Sequence, residues 1–345
     1  MSTLKFLHYT DVHLRETNPP SRLGDFREDV LGKLRQIVSI AKEHRVDFTV
    51  CGGDLFDSKK PMATKHSTVT KVAEIFNSLS IPHLIVPGNH DLTGDAMDSL
   101  PEQPLGVLLE TRTFRQVRNE VFRSKKRAKD PERGLSIRIQ SYPFDEEPVL
   151  SEMVLQEDED TKVDFNILGI HLYASPRGGT LFGKTKVFSY GELAVTNHDM
   201  YLLGHYHADN GVVRTVLEKE QTFVNIGSVT RGDYGDENLS RIPKVCVVTI
   251  DKNNEGVITV TTEEIPLVVR PNEETFDLEK KEKLKENKEK ATEFVTQLQV
   301  ATQSVETDMK VEEQVSTLTT EKEVLEATMY YINAAAEELN KVSHK

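Results

Sequence analysis

The sequence predicts an α/β fold, a four-layer α/β/β/α sandwich of two sheets packed face to face with helices outside, followed by a helical tail. Three observations lead there. Over roughly the first 210 residues, apolar and β-branched runs alternate with stretches of helical periodicity, the pattern of βαβ units and a largely parallel sheet. Beyond that point strand-like runs follow one another directly, which predicts a more antiparallel second sheet. Past Pro271 the strand texture stops.

The elements follow in order. Leu4 to Tyr9 is a continuous apolar run and reads as the first strand; Val30, Leu34, Ile37, Val38 and Ala41 then recur at helical spacing. Asp47 to Cys51 reads as the second strand, and Val69, Val72, Ala73, Phe76 and Leu79 mark a second helix before a strand from His83 to Val86. Asp164 to Gly169 and Met200 to Leu203 are further strands, and Val212 to Leu217, Thr222 to Ile226, Lys244 to Ile250 and Val257 to Thr262 make up the strand-rich end. Glu273 to Lys290 is almost uninterrupted charge and predicts a linker or a solvated helix. In the tail, Val311, Val315 and Leu318 form one apolar stripe. Leu325, Met329, Ile332, Ala336 and Leu339 form another, with Thr320 and Glu323 as a capping box, so a helical hairpin with one apolar face is expected.

Composition sets the boundaries. A chain of 345 residues suits one large domain with a smaller appendage, here divided as 1–270, a charged linker or reduced cap at 271–303 and the hairpin at 304–345. No run reaches the ~20 apolar residues of a membrane span, and the N-terminus lacks the pattern of a signal peptide. Cys51 and Cys246 both sit in apolar strand-like runs, which speaks against a disulfide framework. A cytoplasmic protein is therefore expected. The net charge of −13 opposes contact with nucleic acid at first sight, but residues 272–345 hold 17 acidic and 10 basic side chains and so carry −7 of it.

Five motifs fall at the carboxyl ends of predicted strands, where α/β sheets place their ligands. They are Asp11-Val12-His13, Gly53-Asp54, Gly88-Asn89-His90-Asp91, Gly169-Ile170-His171 and Gly204-His205-Tyr206-His207. Carboxylate, imidazole and amide oxygen suit Mn²⁺, Fe²⁺ or Zn²⁺, and the lack of thiolates argues against a structural zinc site. One carboxylate can bridge two ions. Alternation in extended chain is expected to aim Asp11 with His13, and His205 with His207, because residues two apart share a face. Glycines before several of these residues permit tight turns. The remaining histidines, His8, His44, His66, His83, His198 and His344, read as ordinary strand, helix or surface residues.

These motifs resemble those of the calcineurin-like metallophosphoesterases over roughly residues 1–270. Within that group Gly53-Asp54-Leu55-Phe56-Asp57-Ser58 followed by Pro61 resembles the SbcD-type DNA-repair nucleases. The resemblance implies two divalent cations, Mn²⁺ first among them. Asp11, His13 and His207 would hold one, Asn89, His171 and His205 the other, and Asp54 would bridge them. It implies two-metal hydrolysis of phosphodiester bonds, with His90 facing the leaving oxygen as a proton donor. Asp57 is expected to orient His90 and raise its pKa.

The resemblance also implies exonuclease and endonuclease action on DNA, a homodimer, and docking of the C-terminal helices on an SbcC-type coiled-coil ATPase for recombination or break repair. The cluster Arg123, Lys125, Lys126, Arg127 and Lys129 could grip phosphates, although such clusters are more often solvated loops. No returning strands for the family's DNA-recognition cap follow Pro271, which implies a compact version of the kind phages use. The alternative is a stand-alone small-molecule or cyclic-nucleotide phosphodiesterase on the same scaffold.

Overall fold

In this computed structural model, residues 2–57, 59–124, 134–156, 162–181, 183–216 and 219–303 are described, together with 326, 329 and 330. Strand β1 (Ser2–Tyr9) is buried on both faces: Leu4 and Phe6 enter one apolar cluster, Leu7 and Tyr9 another. That double burial is why its sequence is a continuous apolar run rather than an alternating one. After it come α1 (Phe26–Glu43), β2 (Phe48–Cys51), α2 (His66–Asn77), β3 (His83–Ile85), α3 (Pro104–Glu110) and β4 (Arg115–Gln116). Strands β1 to β4 pair in parallel, each crossover made by this run of helices and turns.

Helix α1 starts where Asp25 accepts the Glu28 N–H at 3.0 Å, with Glu28 and Asp29 in its first turn. This is a side-chain cap reinforced by negative charge at the positive end of the helix dipole. Its Val30, Leu34, Ile37, Val38 and Ala41 are buried, and so is Lys33.

The middle of the chain builds the second sheet from β5 (Asn119–Arg123), β6 (Ser136–Tyr142), β7 (Phe165–Leu172), β11 (Met200–His205), β12 (Gly211–Val216) and β13 (Glu220–Asn225). Between β7 and β11 lie a small sheet of β8 (Ala174–Ser175), β9 (Gly179–Leu181) and β10 (Thr185–Ser189), then helix α4 (Tyr190–Ala194). Spatial order in the second sheet is β12-β13-β11-β7-β6-β5. After α5 (Asp236–Ser240) the chain returns to the first sheet through β14 (Lys244–Lys252) and β15 (Ile258–Pro266), completing the order β15-β14-β1-β2-β3-β4.

The strands beyond residue 210 therefore do not form a sheet of their own. Strands β12 and β13 widen the second sheet, while β14 runs antiparallel beside β1, with Leu4 opposite Ile250. Both sheets are mixed. Strands β5 and β6 of the second sheet, and the short strands β4, β8, β9 and β10, were not foreseen from the sequence.

Three apolar clusters separate four layers. Phe6, Phe48, Val50 and Leu84 of the first sheet meet Ile137, Ile167, Leu202 and Val224 of the second between the sheets. Leu34, Ile37, Val72 and Phe76 of α1 and α2 pack with Leu7, Tyr9 and Ile85 on the outside of the first sheet. Tyr190 and Leu193 cover Tyr201 and Phe223 on the outside of the second, with Tyr201 stacked on Phe223 at 4.4 Å. The α/β/β/α architecture is thus present, and its two sheets meet along the edge where the strands of both end.

The chain divides into a compact unit running to Phe276 and a second beginning at Asp277. Short helix α6 (Asn272–Thr275) closes the first, and α7 (Leu278–Gln303) opens the second. The charged run is helical, and residues 282–290 of α7 are exposed throughout. Among the described residues no helix is long and apolar enough to cross a membrane. The expected tail stripe and capping box, Met329 apart, lie outside the described residues, as do Ser58, Lys125, Lys126, Arg127 and Lys129.

Candidate metal centre

Five strand ends deliver the site. Asp11 and His13 follow β1, Asp54 lies three residues past β2, and Asn89 and His90 sit on a single 3-10 turn, Asn89–Asp91, beyond β3. His171 is the penultimate residue of β7, His205 the last of β11, and His207 lies just beyond it. Within the second sheet β7 and β11 pair in parallel, with Gly204 opposite His171.

The expected strand alternation does not aim these side chains. Asp11, His13, Asp54 and His205 have φ of 52°, 47°, 52° and 80°, in the left-handed region that non-glycine residues seldom occupy. They are half of the eight described non-glycine residues there, so local strain is concentrated at the site. Main-chain bonds from Asp11 N–H to the Gly53 carbonyl (3.0 Å) and from His13 N–H to the Asp54 carbonyl (2.9 Å) hold the two loops together.

Glycine serves two separate purposes. Gly53 has φ +113° and makes the turn before Asp54. Gly88 and Gly204 make space instead: a Cβ on Gly88 would lie 2.3 Å from Asp54 Oδ1, and one on Gly204 would lie 2.8 Å from His171 Nδ1.

All seven expected ligands converge. The His13 and His207 Nε2 atoms are 2.9 Å apart, and Asp11 Oδ1 lies 3.9 and 3.7 Å from them. Asp54 Oδ2 is 3.5 Å from His13 Nε2 and 3.3 Å from His171 Nε2. Asn89 Oδ1 is 3.3 Å from His171 Nε2, and the His171 and His205 rings are 4.9 Å apart. Donor atoms of Asp11, His13, Asp54 and His207 all lie within 4.8 Å of one another, and so do those of Asp54, His171 and His205. Asp54 belongs to both groups.

The residues fit a pair of cations. His171 Nδ1 lies 2.7 Å from the Gly52 carbonyl, which can only accept, so Nδ1 carries the proton and Nε2 presents its lone pair to a carboxylate and an amide oxygen. Lone pairs facing one another across a buried space need a proton or a metal ion between them. The metal-free electrostatics show the same demand. Burial alone would lower the His171 pKa, but Asp54 outweighs it and lifts the imidazole to about 9. Burial would raise Asp54, but His171, His13 and His90 hold it well below the usual carboxylate range. His205, buried and beside that positive His171, falls to about 3.

Asp57 acts differently from expectation. Its carboxylate lies 3.3 Å from His13 Nδ1 and 3.2 Å from Arg15, but 4.0 Å from His90 Nδ1. The contact that orients His90 is with the Asp57 main-chain carbonyl, 2.5 Å from His90 Nδ1. The carboxylate therefore sits beside the candidate ligand His13, and the backbone positions His90.

Several supports were missed from the sequence. Asp91 Oδ2 accepts the N–H groups of Asp54 (2.9 Å) and Gly88 (3.1 Å), and its Oδ1 accepts that of Leu55 (3.1 Å), tying the second and third motifs together. Burial and then the Asp54 charge push its pKa up to about 7. Thr10 donates to Asp11 Oδ2 at 2.7 Å, and the Ser228 hydroxyl to the Asp11 carbonyl at 2.7 Å. The Tyr173 ring lies 3.9 Å from that of His205, at the mouth of a cavity of about 890 Å³ that Phe144, Lys184 and Lys186 also line. Only Asp91 carried a sequence signal, being part of the third motif.

Comparison with known proteins bears on the same region. The model of the calcineurin-like phosphoesterase family matches residues 4–209, more than half of the chain and every residue of the candidate centre. The DNA double-strand break repair protein Mre11 of Saccharolobus solfataricus is 31% identical over 88 residues, which cover 26% of this chain and 23% of that protein. The uncharacterized metallophosphoesterase YhaO of Bacillus subtilis is 23% identical over 235 residues, 65% of this chain and 52% of that one. Among solved structures, the calcineurin-like phosphoesterase YfkN from Bacillus subtilis aligns over 79% of this chain and 94% of its own, at 12% identity and a TM-score of 0.47. The matched segments thus span under a quarter of the first relative and about half of the second. With that match over more than half of the chain, and with the candidate ligands drawn from five strand ends to one edge of two mixed sheets, the chain belongs to the calcineurin-like phosphoesterases.

Proposed function

We propose that this metallophosphoesterase hydrolyses phosphodiester bonds in DNA, as the nuclease subunit of an SbcCD-like repair and recombination complex. The observation that carries the reading is Asp54, common to both ligand groups and aimed at His13 on one side and His171 on the other. Asp11, His13 and His207 would hold one cation and Asn89, His171 and His205 the other, with Mn²⁺ the proposed metal. When bound, such a pair neutralises phosphate charge and lowers the pKa of water. The chain's own contribution is positional. His90 donates its N–H to Asp54 Oδ1 at 2.8 Å and fixes Nδ1 on the Asp57 carbonyl, which leaves Nε2 to meet the leaving oxygen and supply a proton.

DNA as substrate is supported by the Gly53 to Pro61 motif and by the short similarity to a break-repair protein. The cavity beside His205, with aromatic Phe144 and Tyr173 and cationic Lys184 and Lys186, has the groups that stack bases and contact phosphates. A docking role for the C-terminal helices on a coiled-coil ATPase, and a homodimer, complete the proposal.

A second reading, a small-molecule phosphodiesterase, draws support from Asp145, Glu146 and Glu147 on the rim of that cavity, which repel a polyanion. Incubating the full chain with Mn²⁺ and end-labelled duplex DNA, beside a generic bis-phenyl phosphodiester, separates the two. Cleavage of both substrates is expected. Cleavage of the ester alone would transfer the case to the second reading, and inertness toward both would remove each.

A further inference from the structure

Beside α1, lined by its Glu28, Asp29, Gly32, Lys33 and Gln36, is a cavity of about 250 Å³ that shares no residue with the metal centre. Arg22, Lys33, Arg231 and Arg270 line it, with Glu28 and Asp29. The two carboxylates are already engaged. Asp29 Oδ2 takes Arg22 at 2.7 Å and Arg270 at 2.5 Å, while Glu28 Oε1 takes Arg35 at 2.7 Å.

Two cations are left over. Lys33 is only 7% exposed, yet no hydrogen bond or ion pair joins its ammonium to any described residue. Arg231, 4% exposed, has among the described residues only neutral oxygens as partners, from Asn238, Arg270 and Asn272. The Nε atoms of Arg22 and Arg231 are buried without an acceptor. Buried charge without a counter-charge is costly and rarely retained unless something answers it. The cradle is also rigid: the Arg22 guanidinium lies 5.1 Å from the centres of the Phe26 and Phe276 rings, and Arg231 lies 5.3 Å from that of Phe276.

We propose that this cavity is a binding site for a phosphate dianion, either inorganic phosphate or the terminal group of a nucleotide, held by Lys33 and Arg231 and bordered by Arg22 and Arg270. Guanidinium donors match the paired oxygens of a phosphate, and the lysine adds a point charge. Arg231 and the ammonium form of Lys33 together match the charge of the dianion. The cavity is small for a drug-sized ligand and suits a phosphate head group. Burial first, then Arg22, Arg231 and Arg241, push the Lys33 pKa down to about 7 against the pull of Asp29, so an anion bound beside it would restore the ammonium form.

The test is calorimetric titration of inorganic phosphate, and separately of deoxyadenosine 5′-monophosphate, into the metal-loaded full chain and its Lys33→Met variant. Phosphate at the metal centre contributes equally to both proteins, because Lys33 touches no residue of that centre. A cavity site predicts at least a tenfold loss of affinity for one phosphate equivalent in Lys33→Met. Tighter binding of the nucleotide than of phosphate would identify a nucleotide ligand, and equal or weaker binding would identify free phosphate. Superimposable titrations of the two proteins would overturn the proposal. Should the variant fail to fold, a crystal of the unaltered chain soaked in tungstate decides: density between Lys33 and Arg231 supports the site, and density at the metal centre alone refutes it.

Discussion

His171 shows how much chemistry one side chain's surroundings dictate. Its Nδ1 proton is fixed by the Gly52 carbonyl, so its other nitrogen can only be a ligand or a misplaced base. His90 and Asp57 divide their work along the same lines. The Asp57 carboxylate reaches His13, while its carbonyl reaches His90. Replacing His90 by alanine is therefore expected to keep both metal ions and lower cleavage by about 10²- to 10⁴-fold. Asp57→Asn, by contrast, is expected to weaken metal binding by about 10- to 100-fold, because it loosens a ligand. Metal titration followed by turnover at saturating metal distinguishes the two, and a His90→Ala protein that has lost its metals would reverse the assignment. The candidate ligands and their order were legible because few residue types can serve and each lies at or just beyond a strand end. The path from Asp57 to His13 was not, since it depends on which way a carboxylate turns within a loop.

At the level of elements, the strand ends carry the site and glycine sets their spacing. Gly88 carries the turn that holds Asn89 and His90 close against Asp54, and a methyl group there would meet both Asp54 Oδ1 at 2.3 Å and Asp54 N at 2.7 Å. Gly88→Ala is expected to lower stability by about 1–3 kcal/mol and to impair metal binding. Gly32, within α1, has nothing within 4 Å of a would-be Cβ, so Gly32→Ala should raise stability by about 0.5–1 kcal/mol. Thermal unfolding and metal titration of both variants check this contrast; a harmless Gly88→Ala would show that the turn can relax. The buried strands β1, β2, β3, β7 and β11 were legible as apolar runs. Strand β5 was not, because it lies at a sheet edge and alternates exposed with half-buried residues, and β6 offers only two isoleucines, separated by Arg138 and followed by Gln140 and Ser141.

Across the whole molecule, the features hardest to read from sequence were the partnerships between distant strands. Strand-forming pattern predicts that a segment is extended, but β14 pairs with β1 nearly the full length of the domain away, and nothing local specifies that choice. The two sheets nevertheless bring residues 11 to 207 to one edge, because the strands that carry the motifs run parallel and end together. A crystal grown in Mn²⁺ and measured for anomalous scattering tests this convergence directly. Two manganese peaks about 3.5–4 Å apart on either side of Asp54 are expected. A single peak, or two peaks too far apart to share that carboxylate, would contradict it.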